Sequence, residues 1–120
     1  MYLGIGTDII KISRIEKFID NNKDQARDII LAPNERNVKN TQSIAGKYAV
    51  KEALLKALGI GFSKGIKRLS EIEVIKDSLG KPTVITYGEV KKIIKRKNIK
   101  NIQVSISHDA EYAIAFVICQ

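Results

Sequence analysis

The sequence predicts an α+β domain in which an antiparallel β-sheet packs against helices. Extended segments come in adjacent pairs rather than alternating singly with helices, which favours antiparallel pairing over a doubly wound parallel sheet. One long helical stretch runs through Ala45 to Leu58, between a strand-like N-terminus and a strand-rich second half. The chain has 120 residues, 44% hydrophobic and 28% charged, which suits one globular domain over residues 1–120. Aromatics are only 6%, so the expected core is aliphatic.

Tyr2 to Ile10 is apolar and β-branched around two glycines and reads as a buried strand. Ser13-Arg14-Ile15-Glu16 has the spacing of a capping box, predicting a helix from Ser13 to about Ile19. A second helical stretch covers Asp24 to Leu31 and breaks before Pro33. Thr41 or Ser43 opens the longest helix, which ends near Leu58, where Gly59 suits a left-handed stop. Gly59, Gly61 and Gly65 then predict a flexible loop. Strands follow at Leu69 to Lys76 and Pro82 to Thr86, joined through the hairpin signal Asp77-Ser78-Leu79-Gly80-Lys81. A basic helix occupies Gly88 to Arg96. Two closing strands, Ile102 to Ser107 and Tyr112 to Ile118, flank His108-Asp109-Ala110-Glu111.

Several classes of protein are excluded. No apolar run approaches the ~20 residues that span a bilayer. The N-terminus lacks the basic region and cleavage site of a signal peptide, so a cytoplasmic location is expected. Cys119 is the only cysteine, which rules out an intrachain disulfide or a cysteine-based zinc site. Twenty-one Lys and Arg against thirteen acids give a formal +8, a surface that attracts polyanions. The densest stretch, Lys91 to Lys97, reads as a solvated helix face and has none of the interleaved aromatics that stack on bases. A small basic nucleic-acid-binding module using Lys91 to Lys100 is the alternative reading of the chain.

Three groups carry candidate chemistry. Glu52 and Lys56 are four apart on one helix face, which Ala49 and Ala45 continue as a small, uncharged surface open to close approach. A carboxylate beside an ammonium suits a metal-bound phosphate; equally, such a pair is an ordinary surface bridge worth a few tenths of a kcal/mol. Asp8 ends an apolar strand and needs a cation, a cap or solvent, because carboxylates are rarely buried alone. Mg²⁺ takes one or two protein carboxylates and fills its shell with water and substrate phosphate, a requirement that Asp8 and Glu52 meet if the fold joins them. His108 follows Val104-Ser105-Ile106-Ser107, whose alternation puts both serines on one face, with hydroxyls and an imidazole able to donate to phosphate oxygens. No Gly-x-Ser-x-Gly elbow supports a serine hydrolase, and Gly4-x-Gly6 is not continued as a dinucleotide fingerprint.

In order along the chain, Gly4-Ile5-Gly6-Thr7-Asp8-Ile9, Lys51-Glu52-Ala53-x-x-Lys56-Ala57 and Ser105-Ile106-Ser107-His108 resemble the motif blocks of the holo-[acyl-carrier-protein] synthase family. That family is the small trimeric class of 4'-phosphopantetheinyl transferases. Ile72-Glu73-Val74 followed by Gly80-Lys81-Pro82 is similar to its hairpin. The resemblance implies transfer of the 4'-phosphopantetheine arm from coenzyme A to a serine of apo-acyl carrier protein, releasing adenosine 3',5'-bisphosphate, in fatty acid biosynthesis. It implies Mg²⁺ on Asp8 and Glu52, with Glu52 and Lys56 as catalytic residues. Lys47, Lys56, Gly65, Ser107 and His108 become coenzyme A contacts, and Arg14 and Arg27 become contacts for the acidic carrier. Lys47 stands where the family usually has Arg and lacks the bidentate fork. Glu52, a metal-bound water and an acidic group of the carrier are the candidate proton acceptors. The resemblance also implies a homotrimer with Asp8 and Glu52 facing His108 of a neighbouring chain, and neither nucleic acid nor membrane as partner.

Overall fold

The computed structural model describes residues 2–60 and 68–120. Its elements in chain order are β1 (Gly4–Lys11), α1 (Ile12–Ile30), α2 (Thr41–Ala57), β2 (Ile72–Lys76), β3 (Pro82–Thr86), α3 (Gly88–Arg96), β4 (Ile102–His108) and β5 (Tyr112–Cys119). Short 3₁₀ turns at Pro33–Glu35 and Leu69–Glu71 complete them. The fold is α+β, as the paired strands predicted. One antiparallel sheet has the order β1-β5-β4, and β2 and β3 form a separate antiparallel hairpin. No helix among the described residues is long and apolar enough to cross a membrane.

The centre of the molecule is α2, with 11 of its 17 residues buried, so it lies inside rather than on the surface. It opens at Thr41, one of the two expected starts, and is capped by Asn40, whose side chain accepts from Ser43 N–H at 2.9 Å. At the other end Gly59 takes φ +77°, the left-handed stop expected there. The expected loop glycines Gly61 and Gly65 lie outside the described residues. Against α2 the sheet presents Ala113, Ala115, Val117 and Cys119 of β5, all fully buried and mostly small.

Four local expectations are corrected. The capping box at Ser13 does not form: α1 begins at Ile12, after Lys11, without a side-chain cap. Ile12 N–H instead donates to Glu111 O at 2.8 Å, so the sheet's own hairpin satisfies that amide. The two expected helices join into α1, broken by non-helical backbone at Lys23 (φ 49°). Leu69–Glu71 is a turn, and β2 starts only at Ile72, opposite Thr86. The first strand is buried on one face only. Ile5 and Ile9 of β1 and Ile114 and Phe116 of β5 stand exposed on the side of the sheet away from α2.

Candidate active site

Gly4 and Gly6 place the first group of site residues. A Cβ at Gly6 would collide with the carbonyl oxygen of Ala53, and one at Gly4 with that of Ala57. The backbone of β1 therefore rests directly on α2. Two strand residues advance about 6.7 Å and four helix residues about 6 Å, so strand and helix stay in step. Asp8 is next in the inward row and falls beside the turn preceding Ala53. There Lys56 Nζ lies 3.2 Å from Asp8 Oδ1 and donates to Thr7 O at 3.0 Å. Glu52, 5% exposed, sits one turn before Lys56 on the same helix face. The Asp8 and Lys56 side chains remain 15% and 33% exposed, so the group opens to solvent. Ala45 and Ala49, expected as an approach surface, are fully buried in the core.

Lys47 and His108 form a second group. α2 crosses the sheet, so its first half lies over β4, with Gly46 beside Ile106. Lys47, Gly46, Val74, Lys76 and His108 line a cleft of about 150 Å³. Lys47 Nζ donates to Val74 O at 2.9 Å and lies 3.7 Å from Glu35 Oε2. The hairpin that carries His108 is fixed by Asp109, whose Oδ1 accepts from Tyr112 N–H at 2.8 Å and Glu111 N–H at 2.7 Å. Those amides hold the Asp109 carboxyl below its ordinary value.

Beneath Lys47 is a buried pair that the sequence reading missed. Lys51, fully buried, donates to Glu35 Oε1 at 2.5 Å and to Ile30 O at 2.7 Å. Burial pulls the Lys51 ammonium below its ordinary value, against the opposing charge of Glu35. Two local signals were present. Glu35 sits three residues after Ala32, across Pro33, and reaches back to the Ala32 amide at 2.8 Å. Lys51 and Lys47 are four apart on one face of α2, a paired charge pattern that asks for an acidic partner.

One chain brings Asp8, Glu52 and Lys56 together, and Lys47 together with His108, but keeps the two groups apart. Lys47 and Lys56 are nine residues apart on α2, about 14 Å of rise. Asp8 and His108 are on strands separated by β5, about 10 Å across the sheet. Ser107 faces the opposite side of the sheet from His108, in the row of Ser105. Arg14 is exposed in the first turn of α1, at the rim of an apolar groove formed by Ile10, Ile15, Phe18 and Tyr48. Arg27 instead directs its guanidinium at the carbonyls of Arg36 and Val38 and ties that turn to α1. Gly65 lies outside the described residues. In α3, Val90 and Ile93 are buried while Lys91, Lys92, Lys95 and Arg96 form the outer face.

The donor set at Asp8 and Glu52 consists of hard carboxylate oxygens, the type that Mg²⁺ prefers. Among the described residues no cluster offers three or more His, Cys, Asp or Glu, so a cation here would complete its shell from water and substrate oxygens. With a lysine alongside, this donor set suits the class of sites that take a phosphate-bearing ligand together with a divalent cation. The comparisons narrow that class. The model of the 4'-phosphopantetheinyl transferase superfamily matches residues 4–117. The holo-[acyl-carrier-protein] synthase of Clostridium tetani is 41% identical over 128 residues, covering 100% of this chain and 97% of that protein. The crystal structure of the Neisseria meningitidis holo-[acyl-carrier-protein] synthase superposes with a TM-score of 0.88 at 30% identity, covering 98% of this chain and 97% of that one. The Helicobacter pylori holo-[acyl-carrier-protein] synthase, solved in complex with coenzyme A, gives 0.85 at 36% identity, over 97% of this chain and 99% of that one. The chain belongs to the 4'-phosphopantetheinyl transferase superfamily, in its holo-[acyl-carrier-protein] synthase family.

Proposed function

We propose that this protein transfers the 4'-phosphopantetheine arm of coenzyme A to a serine of an apo-acyl carrier protein, releasing adenosine 3',5'-bisphosphate, and acts in the cytoplasm in fatty acid biosynthesis. The observation that carries the mechanism is the seating of β1 on α2, which brings Asp8 against the face bearing Glu52 and Lys56. Asp8 and Glu52 would hold Mg²⁺, which would supply Lewis-acid neutralisation of phosphate charge. The serine hydroxyl gives up its proton, to Glu52, a bound water or an acidic group of the carrier, as its oxygen bonds to the phosphorus that carries the pantetheine arm. The bond to the adenosine-bearing phosphate breaks, releasing adenosine 3',5'-bisphosphate. Such transfers depend on positioning and charge stabilisation more than on covalent help from the protein. Lys56 meets charge developing on the transferring phosphate. Lys47 and His108 bind the remainder of coenzyme A, with Gly65 as a further contact; Ser107, on the opposite face of the sheet, is not part of that cleft. Arg14, exposed beside its apolar groove, receives the acidic carrier.

The whole chain, residues 1–120, serves as a single domain of a homotrimer. Two observations support this. The Asp8 and His108 groups are separated within one chain, and the open face of the sheet carries exposed Ile5, Ile9, Ile114 and Phe116. Packing that face between copies lets Asp8 and Glu52 of one chain meet His108 of the next. The test is incubation with apo-acyl carrier protein, coenzyme A and Mg²⁺. The carrier is expected to gain one phosphopantetheine by mass; an unchanged carrier sinks the reading.

A further inference from the structure

Lys47 is held from below. A lysine side chain is a compact charge on a flexible stem, and fixing it costs rotamer entropy unless neighbours fix it beforehand. Glu35 is the neighbour placed to do so. It is 3% exposed, and both of its oxygens are committed. Oε1 accepts from Ala32 N–H at 2.8 Å and from the buried Lys51, while Oε2 accepts from Val74 N–H at 2.7 Å and stands 3.7 Å from Lys47 Nζ. Val74 is thus bound at both ends, its N–H by Glu35 and its carbonyl by Lys47 at 2.9 Å. The wall of the cleft contributed by β2 and the cation on its floor share one anchor.

We propose that Glu35 is a positioning residue for substrate binding, setting the Lys47 ammonium as the phosphate contact of the cleft between α2, β2 and His108; this rests on reading that cleft as part of the coenzyme A site. An ammonium has three donors. Val74 O takes one and Glu35 attracts a second, so the third is aimed by a rigid frame. Lys51 completes the frame: it is the cation buried with Glu35 and donates directly to Oε1, fixing the carboxylate from the core side. Glu35 itself touches no substrate.

The test is a steady-state series at saturating Mg²⁺ with Glu35→Gln, Lys47→Met and the double variant. Losing one well-placed charge-assisted phosphate contact corresponds to about a tenfold weaker interaction. Glu35→Gln is therefore expected to raise KM for coenzyme A about tenfold while kcat at saturation and KM for the carrier stay near wild type. Lys47→Met is expected to do the same, and the double variant to be no worse than either single, because both remove one contact. If Glu35→Gln fails to fold, Glu35→Gln combined with Lys51→Met removes the buried pair together and is read in the same way. An unchanged KM for coenzyme A, additive effects of positions 35 and 47, or a parallel fall of kcat and both KM terms with lowered Tm overturns the proposal. Wild-type protein that transfers no phosphopantetheine sinks the functional reading itself; a normal wild type with an unaffected Glu35→Gln sinks only the role given to Glu35.

Discussion

Five residues apart on α2, Lys51 and Lys56 each meet a carboxylate, and the two pairs are built for opposite ends. Lys51 is fully buried against Glu35, and backbone groups of Ile30, Ala32 and Val74, from two separate segments, surround the pair. Lys56 keeps a third of its side chain exposed beside Asp8 at the mouth of a site. The sealed pair has fixed partners on every side and nothing left to exchange with solvent. The open pair lies where a substrate can arrive. A Lys-carboxylate pair therefore says little until its burial is known: buried pairs are costly to break, and exposed ones contribute 0 to about 1 kcal/mol.

The strongest way to break the comparison is Lys51→Ala. Removing the ammonium that donates to buried Glu35, with Lys47 at 3.7 Å as the cation that remains, should cost about 3 kcal/mol, read as a lower urea midpoint. A midpoint equal to wild type would mean that the pair is not sealed. Asp8→Asn or Glu52→Gln should leave the midpoint nearly unchanged but lower transfer by about two orders of magnitude, roughly 2.7 kcal/mol of barrier. Wild-type turnover from either variant at ordinary Mg²⁺ removes the two-carboxylate site. Lys56→Ala should lower kcat about tenfold with little change in KM and cost at most about 1 kcal/mol of stability. A pure KM effect would make Lys56 a ground-state contact. Arg14→Glu should raise carrier KM several-fold at low salt, with coenzyme A binding unchanged and the gap narrowing as salt rises. No change in carrier KM would move docking away from α1.

The smallest expected effect calibrates the weak end. Asp109 is an exposed carboxylate held by amides, with its folded value lowered from 3.8. Such a group contributes stability that is present above its unfolded value and lost as pH falls through the lowered folded one. The difference in urea midpoint between wild type and Asp109→Asn should therefore be full above about pH 4 and shrink on further acidification. A gap that widens in acid would reverse the sign.

Local punctuation made part of the fold legible. Pro82, the Asp77 to Lys81 turn and the glycine at 88 mark β3 and α3 at their observed limits. The start of α1 was hidden because its first amide is satisfied by Glu111, about a hundred residues away, rather than by the adjacent Ser13. The Glu35–Lys51 pair was hidden for a related reason: charge is visible in a sequence, whereas burial is a property of distant segments meeting. β1 misled because Ile5 and Ile9 alternate with an inward row in which Gly4, Gly6 and Ile10 are small or apolar and only Asp8 is charged, so both faces read as core. For the site, Asp8, Glu52 and Lys56 could be named from motif order, but their convergence depends on Gly4 and Gly6 touching α2, which no spacing reveals.

That seating of β1 on α2 has a consequence for how the site can vary. Strand and helix mesh through backbone atoms, Gly6 against Ala53 and Gly4 against Ala57, with no side chain between them to flex. Adding or removing one residue in α2 between Ala53 and Lys56 would rotate everything beyond it by about 100° relative to Glu52 and Ala53 and carry Lys56 away from Asp8. Only a shift by about a whole turn would bring a similar face back. The position of the strand carboxylate relative to the helix is thus indexed in notches, with no continuous range of adjustment between them.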